Sequence, residues 1–562
     1  MLNSYTYFLP EKLENAVQIK LGEWRDAKNI QKLWNKDAGL WTGGDEHKWL
    51  GWLDSAAAEL EKLDEYRKFS EDARNFETVV LLGMGGSSLC PEVLAETFGK
   101  EHFHILDSTV PAEIKTLEEK LDLEKTLFIV ASKSGSTLEP NTFFQYFYEK
   151  VSGLAGAENA GRQFAAITDP GSKLEKIAVE KGFRKIFFGD PRIGGRYSAL
   201  SPFGMAAGAA MGLDIEEFLK RSLEMVEACR SENSSNNPGA SLGIILGVAN
   251  AAGRDKLTIF TSPEIYDLGA WLEQLLAEST GKQGRSIIPV DLERIAKPED
   301  YTDDRVFVYL KLKNAAASQL DEKIVLLKSS GHPVIEITLE DEMNLGQEFF
   351  RWEFATAAAG AVMGINPFDQ PDVEAAKIEA RKLTEQYEQT GELPAEEPFF
   401  EEGGIKLFTG DDYAEKLEKF IEGEKTLAKV LAAHLAHIQE NDYFALLAYI
   451  ERNAENRELL QKIRHRVFEE KLVATALGFG PRFLHSTGQA YKGGANNGVF
   501  LQVTSDDAVD MPVPGQKYTF GAVKAAQARG DFQVLLDRNR RALRAHLGAD
   551  VKAGLEKLLS II

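Results

Sequence analysis

One pattern narrows the fold of this chain more than any other. Short apolar runs stop at glycine- and hydroxyl-rich turns, and each turn opens into a helical stretch. Residues 78–84 read TVVLLGM, with helical spacing from Pro91 onward. The rhythm returns at LFIVASKSGST (127–137), at FAAITDPGS (164–172) and at KIFFGDPRIGGRYS (185–198). Strands with no polar face are buried on both sides, so such runs alternating with helices predict a parallel sheet covered by helices. A second alternating region starts at LTIFTS (257–262) and continues through VFVYLKL and PVIEITL to GINPFDQ. The expected architecture is α/β, with two parallel-sheet sandwich domains at 75–235 and 240–390 that echo each other loosely. They join near the turn-rich SENSSNNPGAS.

The flanks read differently. Residues 1–74 are expected to be a helical, largely polar segment. TGELPAEEPFFEEGG (390–404) has the proline, glycine and acid content of a linker or long surface loop. Residues 391–562 are expected to form a helical and α+β extension, with helical spacing in KLEKFIEGEKTLAKVLAAHLAHI and one short strand at Val499–Thr504. The arginine-rich DRNRRALRAHL (537–547) is read as a solvated basic helix face.

A chain of 562 residues has room for two to four folding units. Its net charge of −22 argues against nucleic acid and against an anionic membrane surface as partners. A small phosphorylated ligand stays compatible, because a pocket can be locally positive in an acidic protein. The two cysteines, Cys90 and Cys229, form no CxxC pair, and no histidine spacing suggests a metal site. The start lacks a basic and then apolar leader, and no apolar run reaches membrane length. A cytoplasmic location is expected.

Five motifs could carry chemistry. Gly83-Met84-Gly85-Gly86-Ser87-Ser88-Leu89 is neither a Walker A loop nor a dinucleotide fingerprint, yet it offers amides and hydroxyls at a strand-to-helix junction. In the second, Ser132, Ser134, Ser136 and Thr137 place four hydroxyls within six residues at a helix start, where amides and the helix dipole favour an anion. Plain N-capping would use one of them. The third is Gly194-Gly195-Arg196-Tyr197-Ser198, whose glycines admit a ligand that the guanidinium can reach. In the fourth, Gln274 and Glu278 stand four residues apart on one helical face, ahead of Ser-Thr-Gly-Lys282. Glu278 reads either as a general base or as a surface carboxylate beside a capping glycine. The last motif, Asn366-Pro-Phe-Asp-Gln-Pro-Asp-Val-Glu-Ala-Ala-Lys377, leads from a turn into a helix; alone it is a capped helix with a solvated lysine.

In this order the motifs resemble the glucose-6-phosphate isomerases, a family built from two sugar-isomerase (SIS) domains. The most specific pieces are GGRYS, QLLAESTGK and NPFDQPDVEAAK. The likeness is closer still to the isomerase half of bacterial proteins that fuse transaldolase to phosphoglucose isomerase, through LHSTGQAYKGG and VPGQKYTFGAVKAAQARGD. About 75 residues precede the first isomerase domain, too few for a transaldolase barrel.

The resemblance implies an aldose–ketose isomerase with no cofactor and no metal, acting on a sugar phosphate and usually dimeric. It assigns Glu278 as the base that moves a proton between C1 and C2. Arg196 becomes the cation beside the enediolate, and Lys377 the lysine near the ring oxygen. Gln274 contacts the substrate, while Gly86, Ser87, Ser132, Ser134, Ser136 and Thr137 hold the phosphate. Two other expectations compete: another substrate such as mannose 6-phosphate, or a non-catalytic sugar-phosphate-binding regulator.

One departure from the family pattern concerns ring opening. The family's G-Q-H segment, lying between glutamate and lysine, is absent here. His332 is the only histidine between Glu278 and Lys377, and His485 lies in the later LHSTGQAYKGG. His485 is the preferred candidate, and Lys492 of the same turn could share its role.

Overall fold

The structure, a computed structural model, describes residues 1–562. It contains three sheets built on one strand order. The first consists of β2 (Thr78–Leu82), β3 (Phe103–Leu106), β4 (Thr126–Ala131), β5 (Phe164–Thr168) and β6 (Lys185–Phe188). It runs β3-β2-β4-β5-β6, parallel throughout. The order reverses between β2 and β4, which opens a crevice at their carboxyl ends. The turns holding Gly86 and Ser132 follow β2 and β4 directly, so sequence places both on that crevice.

The second sheet contains β7 (Lys256–Thr261), β8 (Ile288–Asp291), β9 (Arg305–Leu312) and β10 (Val334–Leu339), ordered β10-β9-β7-β8 and parallel. Its other edge is β1 (Ser4–Phe8), antiparallel to β10. The N-terminal segment is therefore helical only from Glu11; its first residues complete a sheet more than 300 positions away, an edge role suited to Tyr and Thr. Behind the sheets, the Pro238–Ala251 and Leu345–Met363 helices pack so tightly that a Cβ on Gly243 would stand 2.2 Å from the Ala355 carbonyl oxygen.

These two sheets form one compact unit, comprising residues 1–107, 121–292 and 304–369. The other unit comprises 108–120, 293–303 and 370–562. The Pro371–Thr390 helix thus belongs with the C-terminal region rather than with 240–390. It lies against the Phe520–Asp537 helix so closely that a Cβ on Gly530 would meet the Ala380 nitrogen at 2.7 Å.

The C-terminal unit is more regular than the sequence suggests. Where one strand is expected it has six: β11 (Phe400–Glu402), β12 (Ile405–Phe408), β13 (Tyr443–Tyr449), β14 (Ala474–Phe479), β15 (Gly498–Thr504) and β16 (Arg541–His546). The parallel part runs β16-β15-β13-β14, and a β11–β12 hairpin is antiparallel to it at the β16 edge. The basic stretch 537–547 is corrected here: it is not a solvated helix but leads into strand β16, whose Arg544 is buried.

Candidate active site

Glu278 occupies the last turn of the Leu268–Thr280 helix and is buried. The spacing of four brings the expected pair together, since the Gln274 amide donates to one Glu278 oxygen (3.1 Å, Nε2 to Oε2). The reading of a surface carboxylate is thereby excluded. Arg196, buried as well, brings Nη1 to 3.6 Å from Glu278 Oε1. Its guanidinium is held by neutral acceptors: Nε donates to Ser279 Oγ (2.7 Å), and Nη2 to the carbonyls of Pro367 (2.8 Å) and Asp369 (2.9 Å). GGRYS, AESTGK and NPFDQ thus meet at one guanidinium.

Lys282 is a member of this cluster to which the sequence motifs assign no role. Its ammonium donates to the Asn366 carbonyl (2.6 Å) and pairs with Asp369 (2.8 Å). Burial, and then the nearby Arg196 charge, pull its pKa down to about 7 despite that pair. Asp369 is half exposed and so compensates the buried cation only partly.

The glycine turns interlock. A Cβ on Gly86 would stand 2.0 Å from the Gly195 carbonyl oxygen, so the backbones of the two turns touch and only glycine fits at 86. A Cβ on Gly194 or Gly195 would meet open space. The Gly85–Ser87 turn therefore fixes the position of Arg196, and Ser198 reinforces it by donating to the Gly195 carbonyl (2.6 Å).

In the hydroxyl turn, Ser134 and Ser136 are exposed, Thr137 is half-buried and Ser132 is buried. Thr137 is the N-cap residue of the Leu138–Ala155 helix, yet no side chain makes a capping bond there. The hydroxyls bond to one another instead, Ser132 to Thr137 at 3.2 Å and Ser134 to Ser136 at 2.9 Å. This leaves the helix start open to an anion. Lys133 is paired with Asp169 at 2.5 Å and donates to the Asp190 carbonyl (2.9 Å).

The other assigned residues lie in the C-terminal unit. Lys377 is half exposed on the Pro371–Thr390 helix, 3.9 Å from Glu374. His485 ends the short Arg482–His485 turn and is half-buried. Gln489, four residues after His485, bonds the start of the Lys377 helix: its side-chain oxygen accepts from the Asp372 (2.9 Å) and Val373 (3.2 Å) amides, and its nitrogen donates to the Asp372 carboxylate (2.8 Å). Gln489 thus caps the start of the helix that bears Lys377. Lys492 is committed elsewhere, in a buried ion pair with Asp531 (2.5 Å). His332, in the first unit, is buried at the start of β10, edge-on to Phe307.

The hydroxyl turns at the sheet switch point and the buried Glu–Arg–Lys cluster thus share one parallel-sheet α/β unit. A family model described as phosphoglucose isomerase matches residues 61–292. Over that stretch the chain is similar to the phosphoglucose isomerases. A glucose-6-phosphate isomerase of Methanocaldococcus jannaschii is 28% identical over 367 residues, covering 58% of this chain and 88% of the relative. One of Mycoplasmopsis pulmonis is 28% identical over 425 residues, covering 66% and 98%. Among solved structures, a hypothetical protein of Thermus thermophilus superposes with a TM-score of 0.59 at 25% identity, covering 67% of this chain and 99% of that one. A Chlamydia trachomatis glucose-6-phosphate isomerase shares the fold, with a TM-score of 0.57 at 19% identity and coverage of 68% and 88%. No helix is long and apolar enough to cross a membrane.

Proposed function

We propose that this chain interconverts glucose 6-phosphate and fructose 6-phosphate, with Glu278 carrying a proton between C1 and C2 of the open-chain sugar. The observation that carries this reading is the Glu278 carboxylate, oriented by Gln274 and lying 3.6 Å from a guanidinium fixed by neutral partners. A carbon acid next to a carbonyl is very weak, so its enediolate needs fixed positive charge nearby. Arg196 supplies that charge from 3.6 Å, with Nε and Nη2 engaged by a hydroxyl and two carbonyls. The turns at Gly86–Ser87 and Ser132–Thr137 hold the phosphoryl group.

The test is a coupled assay of the purified protein with fructose 6-phosphate, repeated for Glu278→Gln. Loss of the base should lower kcat by about 10²–10⁴. An inactive wild type, or a variant keeping most of its activity, would end the assignment.

His485 opens the sugar ring in this reading, with Lys377 at the ring oxygen. Support comes from the resemblance and from the Gln489 bonds, which tie the Gly488–Gly493 helix that follows His485 to the start of the Lys377 helix. His485→Ala should slow turnover of cyclic sugar by about 10²-fold and leave an open-chain analogue much less affected. Equal slowing of both would pass the role to another residue. A cytoplasmic homodimer completes the proposal and rests on the resemblance alone.

A further inference from the structure

The third sheet repeats the strand order of the first, and it too carries a cavity at its carboxyl edge. The cavity has a volume of about 290 Å³ and is lined by the last residues of its parallel strands, Tyr449 of β13, Thr504 of β15 and His546 of β16. Strands β13 and β15 flank the reversal point of this sheet, where ligands of open α/β sheets bind. In the first sheet the equivalent place holds neutral hydroxyl turns; here the wall is cationic. Lys524 and Arg529 project from the Phe520–Asp537 helix, Arg544 from β16 and Lys406 from β12. Glu396 is the one carboxylate in the lining, which leaves a positive excess in a chain of net charge −22.

Arg544 is the central group. Its side chain is 4% exposed, and its guanidinium lies over the rings of Phe408 (4.3 Å) and Phe532 (5.3 Å). Nη2 meets Glu396 at 2.7 Å, whereas the buried Nε has no hydrogen-bond partner. A buried guanidinium donor left unmade costs free energy unless a ligand completes it. Glu396 comes from the irregular 391–399 stretch, and the same oxygen also meets Arg529 at 2.6 Å. It thus places an anion where two guanidiniums converge. Lys524 is paired with Asp507 (2.7 Å), and His546 bonds Thr504 (3.1 Å) and lies 3.2 Å from Asp506, with burial holding its pKa below the usual value.

We propose that this cavity is a second anion site that takes a small phosphorylated metabolite, with the phosphoryl group held by Arg544, Arg529 and Lys406. Guanidiniums match the tetrahedral oxygens of a phosphoryl group, and the cavity is larger than a bare carboxylate requires. The site lies wholly in the C-terminal unit and does not depend on the isomerase assignment.

The experiment is hydrogen–deuterium exchange on the full chain, titrated with inorganic phosphate. Saturable protection is expected in peptides covering 504–508 and 520–530, separately from protection of the Ser132–Thr137 turn. Arg529→Gln and Lys406→Ala should each raise the half-saturating phosphate at those peptides about ten-fold. Lys406 is exposed, so its variant tests the site even if the Arg529 variant is destabilised. Absence of protection at 504–508 and 520–530 while the 132–137 turn is protected would overturn the proposal. Protection unchanged in both variants would overturn it too, by assigning the cationic cluster to fastening the Glu396 segment alone.

Discussion

Two of the buried arginines that lie beside glutamates, Arg196 and Arg544, are set up in opposite ways. Arg196 places most of its donors on a hydroxyl and two carbonyls and approaches Glu278 only to 3.6 Å. Arg544 meets Glu396 directly at 2.7 Å, and Arg529 adds a second cation to the same oxygen. The first arrangement keeps a carboxylate available inside a positive field; the second consumes the carboxylate in order to neutralise the cations. A base that must give and take protons needs the first. A close buried pair mainly offsets its own desolvation. Geometry at the guanidinium, more than the identity of the pair, separates a glutamate set back from its arginine from one held in a close ion pair.

Replacing each arginine by lysine should break the comparison along that line. Arg196→Lys keeps the charge but loses the fork that reaches Ser279, Pro367 and Asp369 together. It should cost about 10²-fold in kcat, with a smaller change in KM. Arg544→Lys should act on stability, lowering the unfolding free energy by about 1–3 kcal/mol in a denaturant titration, because a close charged contact is lost in a buried place. If Arg196→Lys lowered the unfolding midpoint but left kcat intact, the Glu278 centre would be a fastening pair like the other.

The contrast also bears on how much a sequence can show. Gln274 and Glu278 are legible from spacing alone, because a helix brings residues four apart together whatever else the chain does. The two glycine- and hydroxyl-rich turns of the first sheet are legible because apolar runs ending in glycine and hydroxyls mark strand ends. Their interlock through Gly86 and Gly195 is not, since backbone contact across 109 positions leaves no local trace. Gln489 capping the Lys377 helix is hidden for the same reason, its partners lying 116 and 117 residues away. Strand β16 is masked because four arginines in the 537–547 stretch outweigh the apolar Ala542, Leu543 and Ala545 that bury it. Strand β1 escapes because five edge residues, alternately exposed and half-buried, give too weak a period to compete with the helices that follow.

Lys282 sharpens the comparison from the side of stability, with the smallest effect. Its pKa in the folded chain is about 7 against an ordinary 10.5, so between those values the unfolded chain holds the proton that the folded chain has released. Unfolding then takes up a proton, and stability rises with pH across that window. Below about pH 7 both states are protonated, and the full cost of burying the ammonium is present. Lys282→Met removes the titrating group, so the stability of wild type relative to the variant should climb between about pH 7.5 and 9, by up to about 1.4 kcal/mol per pH unit. Denaturant midpoints at four or five pH values would measure the slope. A flat difference would mean that Asp369 and the Asn366 carbonyl compensate the cation fully, and that the Glu278 centre carries two fixed positive charges at neutral pH instead of one fixed charge and one that titrates.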